Sequence, residues 1–147
     1  MLKNRWALTA LATTIFMAGV SVGSMWQRDA VVQAQTASRV FELRTYTAPE
    51  GKLADLQTRF RNHTMRIFNR HNMTSIGYWV PQDPPLSGNT LVYVLAHPSR
   101  EAATKNWEAF RADPEWVKVS AESQVNGRIV EKVESVFLNA TDYSPFK

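Results

Sequence analysis

The chain has 147 residues, 44% hydrophobic and 11% aromatic, with a formal net charge of +4 and no cysteine. That length and apolar content suffice for one domain with a core and argue against disorder, while the missing thiols exclude disulfides, cysteine nucleophiles, cysteine-bound zinc and iron–sulfur clusters. Residues 1–34 hold Lys3, Arg5, Arg28 and Asp29, a net +2, so the remainder is nearly balanced and the pI of about 9.6 does not indicate a nucleic-acid partner.

Residues 1–34 read as a targeting segment. Lys3 and Arg5 form a short basic start, the run from Trp6 to Trp26 is uncharged, and Val32-Gln-Ala34 places small residues where a signal peptidase cuts. The run is longer than the roughly 7–15 residues of a usual signal h-region and close to the about 20 that span a bilayer. Two readings therefore stand. One is a cleaved signal peptide that exports a domain of residues 37–147 to the periplasm or medium. The other is an uncleaved anchor through residues 6–26, with the domain facing the periplasm. A mitochondrial transit peptide fits the scarcity of acids but not the few arginines.

Residues 39–46 alternate Phe41, Leu43 and Thr45 against Val40, Glu42, Arg44 and Tyr46, a strand pattern. A turn at Ala48-Pro-Glu-Gly51 leads into the longest helical pattern, residues 50–72. Leu53, Leu56, Phe60, Ile67 and Phe68 form its apolar stripe, with His71 near the middle and His63 at the edge. Lys52, Arg59, Arg66 and Arg70 fall beside His63 and read as a solvated basic face. Residues 73–80 form a second strand, with Ile76, Tyr78 and Val80 expected on one side and Gly77 and Trp79 on the other. A loop rich in turn residues spans 81–89.

Residues 90–96 make a third strand, apolar enough for burial on both faces. Ser99 is placed to cap a second helix that points Ala103, Trp107 and Phe110 inward. Asp113 can cap a third, with Pro114 in its first position and Trp116 and Val117 facing inward. A fourth strand is expected over 127–138, followed by a tail carrying Tyr143 and Phe146. The order β-α-β-β-α-β, with right-handed crossovers, predicts an α+β ferredoxin-like sandwich: an antiparallel four-stranded sheet with helices on one face. The strands are apolar on both faces and the helices can cover only one. A second copy, sheet against sheet, is the simplest cover, so a homodimer is expected.

Several separate motifs fall in one order: Phe41-Glu-Leu-Arg-Thr-Tyr46, Phe60 with His63, Phe68-Asn-Arg-His71, Gly77-Tyr-Trp79, Leu91-Val-Tyr-Val-Leu95 and Trp107-Glu-Ala-Phe-Arg-Ala-Asp-Pro-Glu-Trp116. Over residues 39–143 the chain resembles the NIPSNAP family, a branch of the dimeric α/β-barrel superfamily. The resemblance implies the ferredoxin-like fold and the dimer. It also implies a site in a cleft between each subunit's helices and its sheet. The superfamily includes cofactor-free monooxygenases acting on polycyclic aromatics, haem-degrading oxygenases and muconolactone-type isomerases. Fold does not determine function.

His63 and His71 are the candidate acid/base groups. They stand about 80° apart around a regular helix, no HExxH pattern occurs and His97 sits at a strand end, so neither a metal nor another cofactor is expected. Tyr46, Trp79, Trp107 and Trp116, with the two histidines, are the candidate ligand-binding residues. Aromatic walls with one or two polar groups suit a flat apolar ligand. Arg44 and Glu42 share a strand face and read as a salt bridge or interface pair. The sequence thus points to an exported domain that binds or transforms a small apolar or aromatic molecule, of cofactor-independent oxygenase or isomerase type if catalytic. The alternative is a non-catalytic structural or interaction module at the membrane or cell envelope. The sequence leaves open whether the protein is an enzyme.

Overall fold

The computed structural model describes residues 39–147; the expected leader at 1–34 and the run 6–26 lie outside them. Strand β1 (Val40–Thr47) leads through Gly51, at φ 73°, into helix α1. Only glycine adopts that left-handed φ freely. α1 covers residues 53–70 in three joined segments: α-helical Leu53–Arg59, a π-helical turn Phe60–Thr64 and α-helical Met65–Arg70. The Met65 N–H donates to Phe60 O, five residues back, and the Thr64 hydroxyl donates to Arg59 O at 3.3 Å. A Schellman motif ends the helix: Asn72 lies at φ 56°, its N–H reaches Asn69 O at 3.3 Å, and the Met73 N–H reaches Phe68 O at 3.0 Å.

β2 (Thr74–Trp79), a 3-10 turn (Leu86–Gly88) and β3 (Thr90–His97) follow, then α2 (Arg100–Ala112), α3 (Pro114–Glu122) and β4 (Lys132–Asn139). Both expected caps form. Ser99 Oγ accepts from the Ala102 N–H at 3.1 Å, and Asp113 Oδ1 accepts from the N–H groups of Glu115 and Trp116 at 2.8 and 3.3 Å. Pro114 occupies the first helical position, where a missing N–H costs nothing.

The sheet is antiparallel in the order β2-β3-β1-β4, as the ferredoxin-like topology requires. Its helix-facing side carries Glu42, Arg44 and Tyr46 from β1, and Leu91, Tyr93, Leu95 and His97 from β3. The register sets Arg44 between Tyr93 and Ser135, and Glu42 between Leu95 and Phe137. Leu56 and Ile67 of α1 pack into this layer with no exposed surface. Truncating either to alanine costs about 2–5 kcal/mol in a typical core.

Four local expectations change. A bulge between Ser75 and Gly77 inserts an extra residue, so Ser75 joins Tyr78 on the helix side, with Oγ and OH 2.6 Å apart. Ile76 instead lines the open face with Trp79. β4 starts at Lys132 rather than 127, because the chain turns at Gly127 (φ 102°) and sends Ile129 into the core before the Glu131 N–H reaches Thr47 O at 2.8 Å. β3 is fully buried only on the helix side; Val92 and Val94 stay half-buried. On α3 Val119 joins Trp116 inward, and Val117 is exposed.

The open face is apolar, with Phe41, Ile76, Trp79, Val94 and Leu138 partly covered by Phe146 of the tail. Trp79, Val136 and Leu138 remain exposed. The Trp79 indole folds back over Gly77, where a Cβ would lie 2.5 Å from the ring, so the glycine makes room for the aromatic. Among the described residues no helix is long and apolar enough to cross a membrane.

Candidate functional site

Three polar assemblies stand out, one between the helices and the sheet and two between helices. The first surrounds Glu42, which is 2% exposed. Its Oε1 accepts from Arg44 Nη1 at 2.6 Å and Ser135 Oγ at 2.7 Å; its Oε2 accepts from Trp107 Nε1 at 2.6 Å and His97 Nε2 at 3.2 Å. A carboxylate only accepts, so Nε2 is the protonated nitrogen of His97. Burial alone would raise the Glu42 pKa. Hydrogen bonds from His97, Ser135, Trp107 and Arg44 outweigh it and hold the carboxyl at about 2. The Arg44 guanidinium also stacks over Trp107, 4.1 Å from the ring centroid.

Trp107 is therefore a core residue whose N–H is already satisfied. It belongs to one aromatic assembly: Trp116 packs on Phe110, Phe110 on Phe68, Phe68 on Trp107 and Tyr93, and Tyr93 on Tyr46, with centroids 4.4–5.9 Å apart. The structure brings Tyr46, Trp107 and Trp116 together there as packing.

The second assembly clasps α1 to the α2–α3 junction. Asp113 caps α3 through Oδ1, and its Oδ2 accepts from His71 Nε2 at 2.7 Å and Arg70 Nη2 at 2.7 Å. Glu115 takes Arg66 and Arg70. The His71 bond holds the Asp113 carboxyl well below the usual carboxylate range; burial opposes it and Arg70 adds to it. His71 thus positions helices and has no nitrogen free on that side for a ligand.

The third assembly is an open groove of about 340 Å³ between α1 and α3, lined by Asp55, Thr58, Arg59, His63, Val119, Glu122, Ser123 and Asn126. That is at the small end of ligand-site volumes. Arg59 is 6% exposed. Its Nη1 donates to Ser123 Oγ at 3.3 Å, its guanidinium lies 5.1 Å from the Trp116 ring centroid, and its Nε has no partner among the described residues. Burial pushes its pKa below the ordinary guanidinium value, with Tyr46 and Tyr93 opposing. The π turn is where Arg59 and His63 enter this groove, in keeping with the frequency of such turns at functional sites.

Of the six expected ligand residues, only His63 lines the groove, with Trp116 behind it under Arg59. Trp79 stands on the opposite face of the sheet, because the strand alternation that turns Tyr78 inward turns Trp79 outward. A single cleft holding His63, His71 and Trp79 does not form. The basic face expected on α1 is not wholly solvated: α3 packs over the part that carries Arg59 and buries it. His97 as a partner of Glu42 was also missed, since only strand register brings residues 55 apart into contact. Among the described residues no group of three or more His, Asp or Glu side chains could hold a metal ion.

No curated protein matches the sequence. Solved structures share the fold. A NIPSNAP family protein of unknown function from Agrobacterium tumefaciens is 20% identical, with a TM-score of 0.66 over 76% of this chain and 96% of that one. A NIPSNAP domain protein from Burkholderia xenovorans is 24% identical, with a TM-score of 0.61 over 72% and 98%. A Streptomyces coelicolor monooxygenase bound to nanaomycin D is 14% identical, with a TM-score of 0.51 over 74% and 92%, a likeness of fold. The NIPSNAP family model matches residues 41–145, and the chain belongs to the NIPSNAP family.

Proposed function

We propose that the domain binds, and as an enzyme transforms, a small apolar or aromatic molecule at the edge of the helix–sheet layer, in the groove between α1 and α3. One observation carries this: the groove holds a histidine and a buried arginine without a carboxylate partner among the described residues, backed by Trp116. The chemistry this pair supports is removal of a proton from an aromatic or enolisable compound. His63 accepts the proton and Arg59 stabilises the resulting anion in a poorly solvated setting. Cofactor-independent oxygenation or isomerisation both begin with such an anion.

The exposed apolar sheet face around Trp79, Val136 and Leu138 supports a homodimer formed sheet to sheet. The basic start and uncharged run of residues 1–34 support export. A non-catalytic envelope module is favoured by one different observation, the firm packing of His71 against Asp113.

A thermal-shift screen of aromatic compounds separates the two. Compounds that stabilise the parent and the His71→Ala variant but not His63→Ala support the groove. If His63→Ala folds normally and responds to the same compounds as the parent, His63 is not at the site.

A further inference from the structure

We infer that the α1–α3 groove is selective for an aromatic or apolar monocarboxylate, with Arg59 as the residue that takes the carboxylate. The inference rests on the reading that this groove is the ligand site, and it names the chemical class.

Three other arginines that join separate parts of the fold are matched with acids. Arg44 holds Glu42, Arg66 holds Glu115, and Arg70 holds Asp113 and Glu115. Arg59 is more deeply buried than any of these three, yet among the described residues it lies within salt-bridge reach of no carboxylate. Its neighbours are the Ser123 hydroxyl and the Trp116 indole, and Asp55 and Glu122 share the groove without reaching it. A buried cation without a counter-ion is among the costliest arrangements in a protein interior, and its Nε adds an unmet donor. Stability alone would favour methionine or leucine here. A guanidinium kept in such a place is suited to receive an anion from outside.

The groove also selects which anion. A planar guanidinium fork matches the two oxygens of a carboxylate. Asp55 and Glu122 stand at the rim with side chains 55% and 63% exposed, the first held by Lys52 at 3.1 Å and the second 3.9 Å from Lys118. Their charges disfavour a compact dianion such as hydrogen phosphate, with both charges on one group, but leave a single carboxylate tolerable. Val119 supplies apolar surface for the rest of the molecule, Trp116 backs the Arg59 guanidinium from behind the groove wall, and Ser123 and Asn126 supply neutral polar contacts.

The test is titration calorimetry on the full chain with three probes: 1-naphthoate, its neutral counterpart 1-naphthylmethanol, and inorganic phosphate. Naphthoate is expected to bind at least about tenfold more tightly than the alcohol, as befits a charge-assisted hydrogen bond, and more tightly than phosphate. Arg59→Met is expected to bring naphthoate down to the alcohol's affinity or below, and to leave the ligand-free protein at least as heat-stable as the parent. Arg59→Lys, which keeps the charge and loses the fork, is expected to fall between them. If Arg59→Met is too unstable to purify, Arg59 is a structural residue and the inference is overturned; naphthoate binding unchanged in Arg59→Lys and Arg59→Met overturns it equally. If the alcohol binds the parent as well as naphthoate, the carboxylate class is wrong while the groove stands. If phosphate competes at equal affinity, the groove is an unselective anion site and the monocarboxylate class is wrong. If neither naphthyl probe binds, the inference and the groove reading fail together.

Discussion

Glu42→Gln is the sharpest perturbation of the buried layer. The substitution keeps the shape and removes the charge. Glu42 receives four hydrogen bonds, two on each oxygen, and each pair includes a group that can only donate: Arg44 Nη1 on Oε1 and Trp107 Nε1 on Oε2, both at 2.6 Å. Either orientation of a glutamine amide therefore sets its NH₂ against a donor. The carboxyl pKa falls from its ordinary 4.5 to about 2, which corresponds to about 3 kcal/mol of stability at neutral pH. Breaking one partner out of a buried pair costs about 3–5 kcal/mol by comparison. A loss of about 3 kcal/mol lowers the midpoint of a domain this size by about 10–15 °C.

Because the folded-state pKa is depressed, this stability is fully present above about pH 4.5 and is lost as pH falls towards 2. Parent and variant should therefore converge in urea titrations below pH 3. A Glu42→Gln protein within 0.5 kcal/mol of the parent at pH 7, a margin well under about 1 kcal/mol for one ordinary hydrogen bond, refutes the network. A deficit that persists unchanged at pH 2.5 refutes the charge as its source.

Ser99→Ala removes the acceptor of the Ala102 N–H and should cost about 1 kcal/mol in denaturant titration, as N-caps typically do. Asp113→Asn should lower the thermal midpoint at pH 7. Since the Asp113 carboxyl is held low mainly by His71, its contribution is present above the ordinary aspartate range and lost below it, so the variant and parent should draw together in acid. Trp79→Glu places a charge on the exposed apolar sheet face; the proposed dimer should sediment as a monomer, and an unchanged mass would remove that face as the interface.

Alternation, helix periodicity and cap residues made the element order legible, because those signals act within a few residues. Ser99 and Asp113 cap the helices they were expected to cap. The site was less legible. A helical wheel assumes 100° per residue, and the π turn at Phe60–Thr64 breaks that assumption where His63 lies, while Arg59, on the regular turn before it, is buried by α3. The β2 bulge likewise shifts Ile76 to the face opposite Tyr78. Neither irregularity has a strong local signature; the back-bonding Thr64 is the nearest to one. Glu42 and Arg44 were expected to pair, and they do, but joining them to His97, Trp107 and Ser135 took the register of three strands and one helix.

The most direct test of the groove as the ligand site uses indole ¹H–¹⁵N resonances, assigned by single tryptophan substitutions, during titration with 1-naphthoate. Trp116 lies against Arg59, while Trp79 lies across the sheet. Saturable movement of the Trp116 signal with a stationary Trp79 signal is the predicted result. Movement of Trp79 with Trp116 unmoved would place the ligand on the open sheet face and contradict the account.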